Sequence, residues 1–508
     1  MSEHPDLGKL KERLGEISDL RGAQSLLGWD QRTIMPQKGA GVRASRIATL
    51  GKISHDLFVA DETGQLLDSL TELEQSLPFD SDDASLIRVT RRDYEKAKVI
   101  PTELTVAFSL AESAGYQAWV EARATSDYTI LLPHLERIVE LHRQAIALHR
   151  AANEEVEDDY DILLDDYEPG LKASEVSRVF DLLKNATIPL VEHIRAKPDA
   201  VDDSLVHGDF PVETQRSLVT TLARRLGYTD DAWRLDTTQH PFASSMSTQD
   251  IRITTRYYPD FLNPALFGTM HEFGHGLYEH GVSPELERTP LCRGASMAFH
   301  ESQSRMWENL IGRGRPFWDY GLPELKRAFP DHFAGADEDA IYRAVNKFGP
   351  SLIRVEADEL TYNLHIIIRF ELERDIFSGT VPLADLPAAW NAKVQEYLGI
   401  DVPDDAQGVL QDVHWGSGAF GYFPTYALGN VVAAQLWERI ARDLPDLDGD
   451  VSRGDFGPLR DWLGENIHRH GRKFGPNQLL ERVVGVDRFD PQPLVRYLTT
   501  KVEGLYGA

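Results

Sequence analysis

Two histidines separated by three residues are the first feature of this chain that could do chemistry. Residues 271 to 275 read HEFGH. On a helix, His271 and His275 lie one turn apart on one face and can present imidazole nitrogens to one metal ion, with Glu272 beside it. A carboxylate in that place can take a proton from a water molecule that zinc activates. The motif predicts a zinc hydrolase, although five letters alone also arise by chance.

A third metal ligand has to come from elsewhere, because a catalytic zinc usually has three protein ligands. His280 follows His275 by five residues, which turns it away around a helix, so we exclude it. Glu301 lies in the next segment with helical periodicity, GASMAFHESQSRMWENL, and Glu308 lies in the same segment as its rival. Spacing alone favours Glu301 without excluding an ordinary solvated carboxylate.

The elements that position these residues are predicted to be mainly helices. Apolar residues recur at helical spacing through the N-terminal half, as in LERIVELHRQAIALHRAA. The motif itself is expected in mid-helix, with Asn263 and Pro264 at the start and Gly281 at the end. Alternating β-branched residues predict one strand over residues 249 to 258, directly before that helix.

The composition limits the class of protein. The chain has 508 residues and a formal net charge of −28, and such an excess of carboxylates argues against a nucleic-acid partner. Cys292 is the only cysteine, so a thiolate-rich metal cluster is excluded and Cys292 itself is expected to be a small buried residue. The chain has no run of about 18 apolar residues and no signal-type N-terminus, so we expect a cytoplasmic protein without a membrane partner.

Five strings, HEFGH among them, identify a family resemblance. They are DIRIT (250 to 254), HEFGH (271 to 275), HESQ (300 to 303), IRVEAD (353 to 358) and GVLQDVHW (408 to 415). In this order they resemble the carboxypeptidase Taq family of zinc metallocarboxypeptidases, of the thermostable carboxypeptidase 1 type, and the resemblance extends nearly end to end. It implies a mainly α, zincin-type body with a deep central groove lined by a small β-sheet, and a homodimer. We expect residues 1 to 508 to form a single catalytic domain, with helical lobes on either side of that groove.

The resemblance also implies the reaction. His271, His275 and Glu301 would hold Zn²⁺, with Co²⁺ as a possible substitute, and Glu272 would be the general base. The predicted enzyme releases amino acids from peptides with a free C-terminus, by attack of a Glu272-activated, metal-bound water. A zinc oligopeptidase or dipeptidase with the same site is the alternative. A helical scaffold with a structural zinc is a third hypothesis, which the presence of a base disfavours.

Residues for substrate binding follow from the same strings. Arg354 in IRVEAD resembles a clamp for the C-terminal carboxylate, since a guanidinium can donate two parallel hydrogen bonds. Arg252 in DIRIT is expected to restrict the groove to short C-terminal segments. Either arginine could instead form an ion pair with a nearby acid. Tyr422 and His414 are candidate donors to the oxyanion, with Tyr426 behind them.

The neighbours of Glu301 and a basic segment complete the candidates. His300 and Gln303 flank Glu301 and are predicted to orient the ligands. The segment HRHGR, residues 468 to 472, contains two alternating histidines without an evident carboxylate partner. We predict that it has a packing or solvated role and binds no metal.

Overall fold

The computed structural model describes residues 4–153 and 156–507, and most of these are helical. The helices are α1 (Pro5–Thr33), α2 (Ala40–Val59), α3 (Asp61–Ser69), α4 (Thr71–Ser76), α5 (Asp82–Val99), α6 (Thr102–Thr125), α7 (Tyr128–Ala152), α8 (Asp159–Leu164), α9 (Ala173–Arg195), α10 (Val212–Leu226), α11 (Asn263–His280), α12 (Met297–Arg305), α13 (Phe317–Ala328), α14 (Pro330–Phe333), α15 (Glu338–Val345), α16 (Tyr362–Ser378), α17 (Leu386–Leu398), α18 (Pro424–Asp443), α19 (Leu447–Ser452), α20 (Gly457–Asn466), α21 (Pro476–Val484) and α22 (Gln492–Tyr506). The predicted mainly α fold is confirmed. Among the described helices, none is long and apolar enough to cross a membrane.

A small sheet precedes the motif helix. Its strands are β1 (Trp233–Thr237), β2 (Ala243–Ser247) and β3 (Asp250–Thr255), in the order β1-β3-β2. The central strand β3 pairs in parallel with β1 and antiparallel with β2. Ile251 and Ile253 are fully buried, as the alternating pattern requires of one face. The predicted strand over 249 to 258 is confirmed in its centre and is shorter at both ends.

Helix α11 lies against this sheet and holds HEFGH near its middle, as predicted. It starts at Asn263 with Pro264 in its first turn and stops at Gly281. The N-cap position falls on Leu262, one residue earlier than expected. A Cβ atom at Gly276 would collide with Trp233 and stand 2.8 Å from Ile251, so only glycine allows this helix to approach the sheet so closely.

Two compact units make up the chain. Of the described residues, the first unit contains those in Met1–Ala97, Asp203–Val345 and Leu436–Asp487. The second contains those in Lys98–Asp202, Asn346–Gln435 and Arg488–Ala508. The sheet, α11 and α12 belong to the first unit, whereas IRVEAD and GVLQDVHW belong to the second. The prediction of a single catalytic domain stays a prediction.

Candidate functional site

Helices α11 and α12 bring three predicted ligands together. Nε2 of His275 is 3.4 Å and Nε2 of His271 is 3.8 Å from Oε2 of Glu301. The three ligand atoms all lie within 4.8 Å of one another. Nitrogen and oxygen atoms about 2.0 to 2.2 Å from a tetrahedral zinc are about 3.4 Å apart, so this donor set fits Zn²⁺. The sequence motif and the distant glutamate thus form one candidate metal site.

Gly274 allows the two ligand helices to touch. A Cβ atom there would lie 2.5 Å from the carbonyl oxygen of Gln303 and 2.6 Å from Cα of Ser304. Both atoms belong to the backbone of α12, two and three residues beyond Glu301, so they cannot move aside alone. The glycine between the two histidines is therefore what lets Glu301 come within reach of them.

A second carboxylate orients His271. Its Nδ1 is 2.9 Å from Oε2 of Glu308. A carboxylate only accepts, so Nδ1 of His271 donates and Nε2 keeps its lone pair for a metal. Glu308 lies in the π-helical segment Met306–Gly312, a form of helix found often at functional sites. The rival ligand that spacing left open thus contacts the far side of the imidazole, which leaves Glu301 as the candidate ligand.

His275 is oriented through another histidine. Its Nδ1 is 2.7 Å from Nδ1 of His300, and Nε2 of His300 is 2.8 Å from Oε1 of Glu279. Because Glu279 accepts, His300 donates from Nε2 and accepts at Nδ1, so His275 donates from Nδ1. Nε2 of His275 is then free to bind a metal. The predicted orienting role of His300 agrees with this chain of hydrogen bonds.

Gln303 has a different partner from the one expected. Its Oε1 accepts a hydrogen bond of 2.8 Å from Nε2 of His468, which is 1% exposed. Gln303 therefore joins HESQ to the HRHGR segment, and its amide nitrogen donates to Ser302 rather than to a proposed ligand. Burial lowers the pKa of His468 to about 3, which keeps its ring neutral. The predicted packing role of HRHGR is confirmed for this histidine.

Charge around the site keeps two glutamates ionised. Nε of Arg305 is 2.7 Å from Oε1 of Glu301, and its Nη1 is 3.2 Å from Oε2 of Glu308. Burial raises the pKa of Glu301, but the charge of Arg305 and the contacts with His271 and His275 hold that pKa well below its usual range. The same balance of burial against Arg305 lowers the pKa of Glu308 to about 2. Both groups are in the deprotonated form that metal binding and imidazole orientation need.

The pKa of Glu272 is shifted in the opposite direction from those of Glu301 and Glu308. It is 6% exposed, and burial raises the pKa of its carboxyl to about 7. Within the described part of the chain its Oε2 is buried without a hydrogen-bond partner. A carboxyl with such a pKa can accept and return a proton near neutral pH.

Arg252, also in the first unit, is paired inside its own strand. Its Nε and Nη2 donate to the two carboxylate oxygens of Asp250 at 2.8 and 2.9 Å. The guanidinium also lies 4.6 Å from the ring centre of Trp29. The contacts with Asp250 are the ion pair that the sequence analysis gave as the alternative. The role of Arg252 in restricting substrate length stays a prediction.

In the second unit, Arg354 is buried against Asp412. Its Nη2 donates to Oδ1 of Asp412 at 2.7 Å and its Nε to the same oxygen at 3.1 Å. Its Nη1 donates to the hydroxyl of Tyr362 at 3.1 Å. Asp412 also accepts from Arg369, at 2.7 Å from Nε. The structure thus places IRVEAD and GVLQDVHW together around one carboxylate.

The candidate oxyanion donors form an aromatic group beside this cluster. The rings of His414 and Tyr422 are stacked with centres 5.5 Å apart, and Tyr426 is 5.2 Å from Tyr422 in an edge-to-face contact. Burial lowers the pKa of His414 to about 4, so its ring is neutral at pH 7. Its Nδ1 is buried without a hydrogen-bond partner among the described residues. The structure brings these three predicted residues together, and their role in stabilising an oxyanion stays a prediction.

Sequence reasoning missed Arg369, Glu279 and Arg305. Arg369 interrupts the apolar run HIIIRF, and a charge within such a run is a signal for a buried, paired group. Glu279 and Arg305 have no comparable signal, because their roles depend on contacts between α11, α12 and the segment that follows.

Comparison with known proteins decides the family. Residues 9–502 match the family model of the carboxypeptidase Taq (M32) metallopeptidases. The chain belongs to this family. Carboxypeptidase 1 of Bacillus subtilis (strain 168) is 41% identical over 496 residues, which cover 97% of each chain. Thermostable carboxypeptidase 1 of Thermus thermophilus is 41% identical over 497 residues, with the same coverage.

Solved structures agree with this assignment. The M32 carboxypeptidase from Deinococcus radiodurans R1 superposes on this chain with a TM-score of 0.95 at 38% identity, and the match covers 99% of this chain and 100% of that one. Membership of the M32 family confirms the predicted metallocarboxypeptidase and implies a divalent metal ion. His271, His275 and Glu301 are the group of described residues that could hold it.

Proposed function

We propose that this M32 enzyme is zinc-dependent and releases amino acids one at a time from peptides with a free C-terminus. His271, His275 and Glu301 hold the metal ion. The single observation that carries the proposal is the convergence of their Nε2 and Oε2 atoms within 4.8 Å, next to a buried glutamate. Bound Zn²⁺ supplies Lewis acidity at this point, which makes water a stronger acid and a peptide carbonyl a stronger electrophile.

Glu272 moves the proton. Its unpartnered Oε2 takes a proton from the attacking water, and the same carboxyl then gives that proton to the leaving amine. Burial raises the pKa of this carboxyl, so it takes up a proton more readily than an exposed glutamate would. Glu301 and Glu308, with their lowered pKa values, cannot take this role.

Arg354 recognises the substrate's C-terminal carboxylate, and His414 and Tyr422 donate hydrogen bonds to the oxyanion. The contacts of Arg354 with Asp412 and Tyr362 use three of its five N–H donors, and two donors remain for a ligand. Neutral His414 can donate from one ring nitrogen. We further propose that Arg252 restricts substrate length. We also propose that the enzyme is a single-domain, cytoplasmic homodimer. Light scattering of the purified protein would test the dimer.

The decisive experiment separates metal binding from proton transfer. Glu272→Gln should keep the wild-type zinc content and lose about 10²- to 10⁴-fold in kcat, the usual contribution of a general base. Glu213→Gln, on the surface helix α10, is the matched control and should behave as wild type. Chelation should abolish activity, and added Zn²⁺ or Co²⁺ should restore it. Full activity of the Glu272 variant, or of the metal-free enzyme, would refute the proposal.

A second arm distinguishes an exopeptidase from an oligopeptidase. Peptides with a free C-terminus are compared with the same peptides blocked as amides, for the wild type and for Arg354→Ala. The proposal predicts a strong preference for the free carboxylate that this variant loses. Equal rates on both substrates in the wild type would point instead to an oligopeptidase with the same metal site.

A further inference from the structure

Arg369 is a fully buried arginine in α16, held by hydrogen bonds to groups inside the protein. Its exposed fraction is 0%. Nε donates to Oδ2 of Asp412 at 2.7 Å, Nη2 to Oε1 of Gln411 at 2.8 Å, and Nη1 to the carbonyl oxygen of His365 at 2.6 Å. A buried arginine is costly unless it is paired, so its presence needs a physical reason.

Asp412 is shared between two arginines. Its Oδ1 accepts a hydrogen bond from Nη2 of Arg354, and its Oδ2 accepts one from Nε of Arg369. Burial raises the pKa of Asp412, but the two guanidinium groups together lower it well below the usual range, so the group is a carboxylate. The cluster therefore has two positive charges and one negative charge.

Neighbouring titratable groups leave this excess in place. His365 and His414 are neutral at pH 7, because burial lowers their pKa values to about 3 and about 4. Burial raises the pKa of Glu373 to about 7. The Glu373 carboxylate accepts its hydrogen bonds from Tyr160, Trp415 and the backbone of Gly421. Even half ionised, this group does not cancel a full positive charge.

The two arginines differ in their access to an external partner, because the side chain of Arg369 is 0% exposed whereas that of Arg354 is 7% exposed. Gln411 and the His365 carbonyl fix the ends of Arg369. Arg354 has two N–H donors beyond its bonds to Asp412 and Tyr362. A single external anion with two oxygens would satisfy those donors and bring the cluster to neutrality. Arg354 is thus the member that can accept such a partner.

We propose that Arg369 is a positioning residue for substrate recognition. Its guanidinium neutralises the charge of Asp412, which leaves the positive charge of Arg354 uncompensated and able to bind one substrate carboxylate. Without Arg369, Asp412 and Arg354 would form a neutral pair with little attraction for another anion. This inference rests on the proposed function, in which Arg354 binds the C-terminal carboxylate.

The test compares charge at position 369 with binding of a carboxylate. The variants are Arg369→Met, Arg369→Lys and the double variant Arg369→Met/Asp412→Asn, in the zinc-loaded full chain. Arg374→Met is the matched control, since Arg374 lies on the same helix but contacts Ser177 and Asp158 instead. The readouts are KM and kcat for a peptide with a free C-terminus, and inhibition by an N-acylated amino acid against its amide. Thermal unfolding and zinc content are measured for each variant.

Arg369→Met should raise KM by at least about tenfold, which corresponds to ~1.4 kcal/mol, with a smaller change in kcat. The acid should lose its advantage over the amide as an inhibitor. Arg369→Lys keeps the charge and should stay within about threefold of wild-type KM, because that difference is under ~1 kcal/mol. The double variant restores one net positive charge and should recover much of the preference for the acid.

Three results would overturn the inference. They are an unchanged acid preference in Arg369→Met, a loss in Arg369→Lys as large as in the Met variant, and a double variant no better than Arg369→Met. If Arg369→Met does not fold, the Lys and double variants still decide. Failure of the proposed function looks different, because Arg354→Ala would then leave the wild-type acid preference intact whatever happens at position 369.

Discussion

Gly274→Ala should weaken metal binding by separating the two ligand helices. The added Cβ would stand 2.5 Å from the carbonyl oxygen of Gln303, whereas ordinary contacts start at about 3.4 Å, so the backbones must part by roughly 0.9 Å. That displacement acts directly on Glu301, two residues before Gln303 on α12. Oε2 of Glu301 is now 3.4 Å from Nε2 of His275, and a shift of this size spoils the tetrahedral spacing.

The energetic magnitude follows from two opposed effects. Overpacking of a close contact costs about 1 to 3 kcal/mol. Alanine in place of a helical glycine gains about 1 kcal/mol through backbone entropy. The metal-free variant should therefore be between unchanged and ~2 kcal/mol less stable. Zinc affinity should fall at least about tenfold, because ligand geometry is altered as well as packing.

The assay measures both quantities in one pair of variants. Gly268→Ala, on the same helix as Gly274, is the matched control. A Cβ atom at residue 268 would meet only Oγ1 of Thr255, at an ordinary contact distance of 3.8 Å. It should bind zinc as the wild type does and unfold at an equal or higher temperature. Zinc affinity is obtained by competition with a chelator, and stability by thermal unfolding with and without metal.

Two results would refute this reasoning. If Gly274→Ala binds zinc with wild-type affinity while Gly268→Ala does too, the close approach at residue 274 does not set the ligand geometry. A loss of affinity in both variants would equally contradict it, because the effect would then come from any alanine in α11.

Two further predictions concern groups that take no part in the proton transfer. Glu308→Gln should lower zinc affinity about 10- to 100-fold, because an amide holds the Nδ1 hydrogen of His271 less strongly, and an unchanged affinity in chelator competition would contradict this. His365→Asn should reduce acid sensitivity. The unfolded chain protonates this histidine below about pH 6.5, but the folded chain does so only near pH 3. As the pH is lowered through that window, the free energy of unfolding of the wild type therefore decreases by up to ~1.4 kcal/mol per pH unit. Urea unfolding at pH 6.5 and 5.5 should show a smaller decrease in the variant, and an equal decrease would refute the assignment.

Local sequence pattern was a good guide wherever contacts are local. The mid-helix position of His271 and His275, the stop at Gly281 and the buried face of β3 depend on residues within a few positions of one another. The start of α11 was misplaced by one residue, since the cap falls on Leu262. Contacts between distant parts of the chain were harder to predict. The sequence analysis expected Gln303 to orient the metal ligands, whereas its side chain forms hydrogen bonds with His468 and Ser302.

By itself, the sequence determined the family, the mainly α fold and a metal motif of two histidines on one helical face, because these depend on residue identity and helical periodicity. The resemblance already favoured Glu301 over Glu308 as the ligand, and only the tertiary structure shows that Glu301 approaches Nε2 of His271 whereas Glu308 approaches Nδ1. It also revealed the hydrogen bond from Arg369 to Asp412. Such assignments depend on distances between helices far apart in the chain, and residue spacing does not contain those distances.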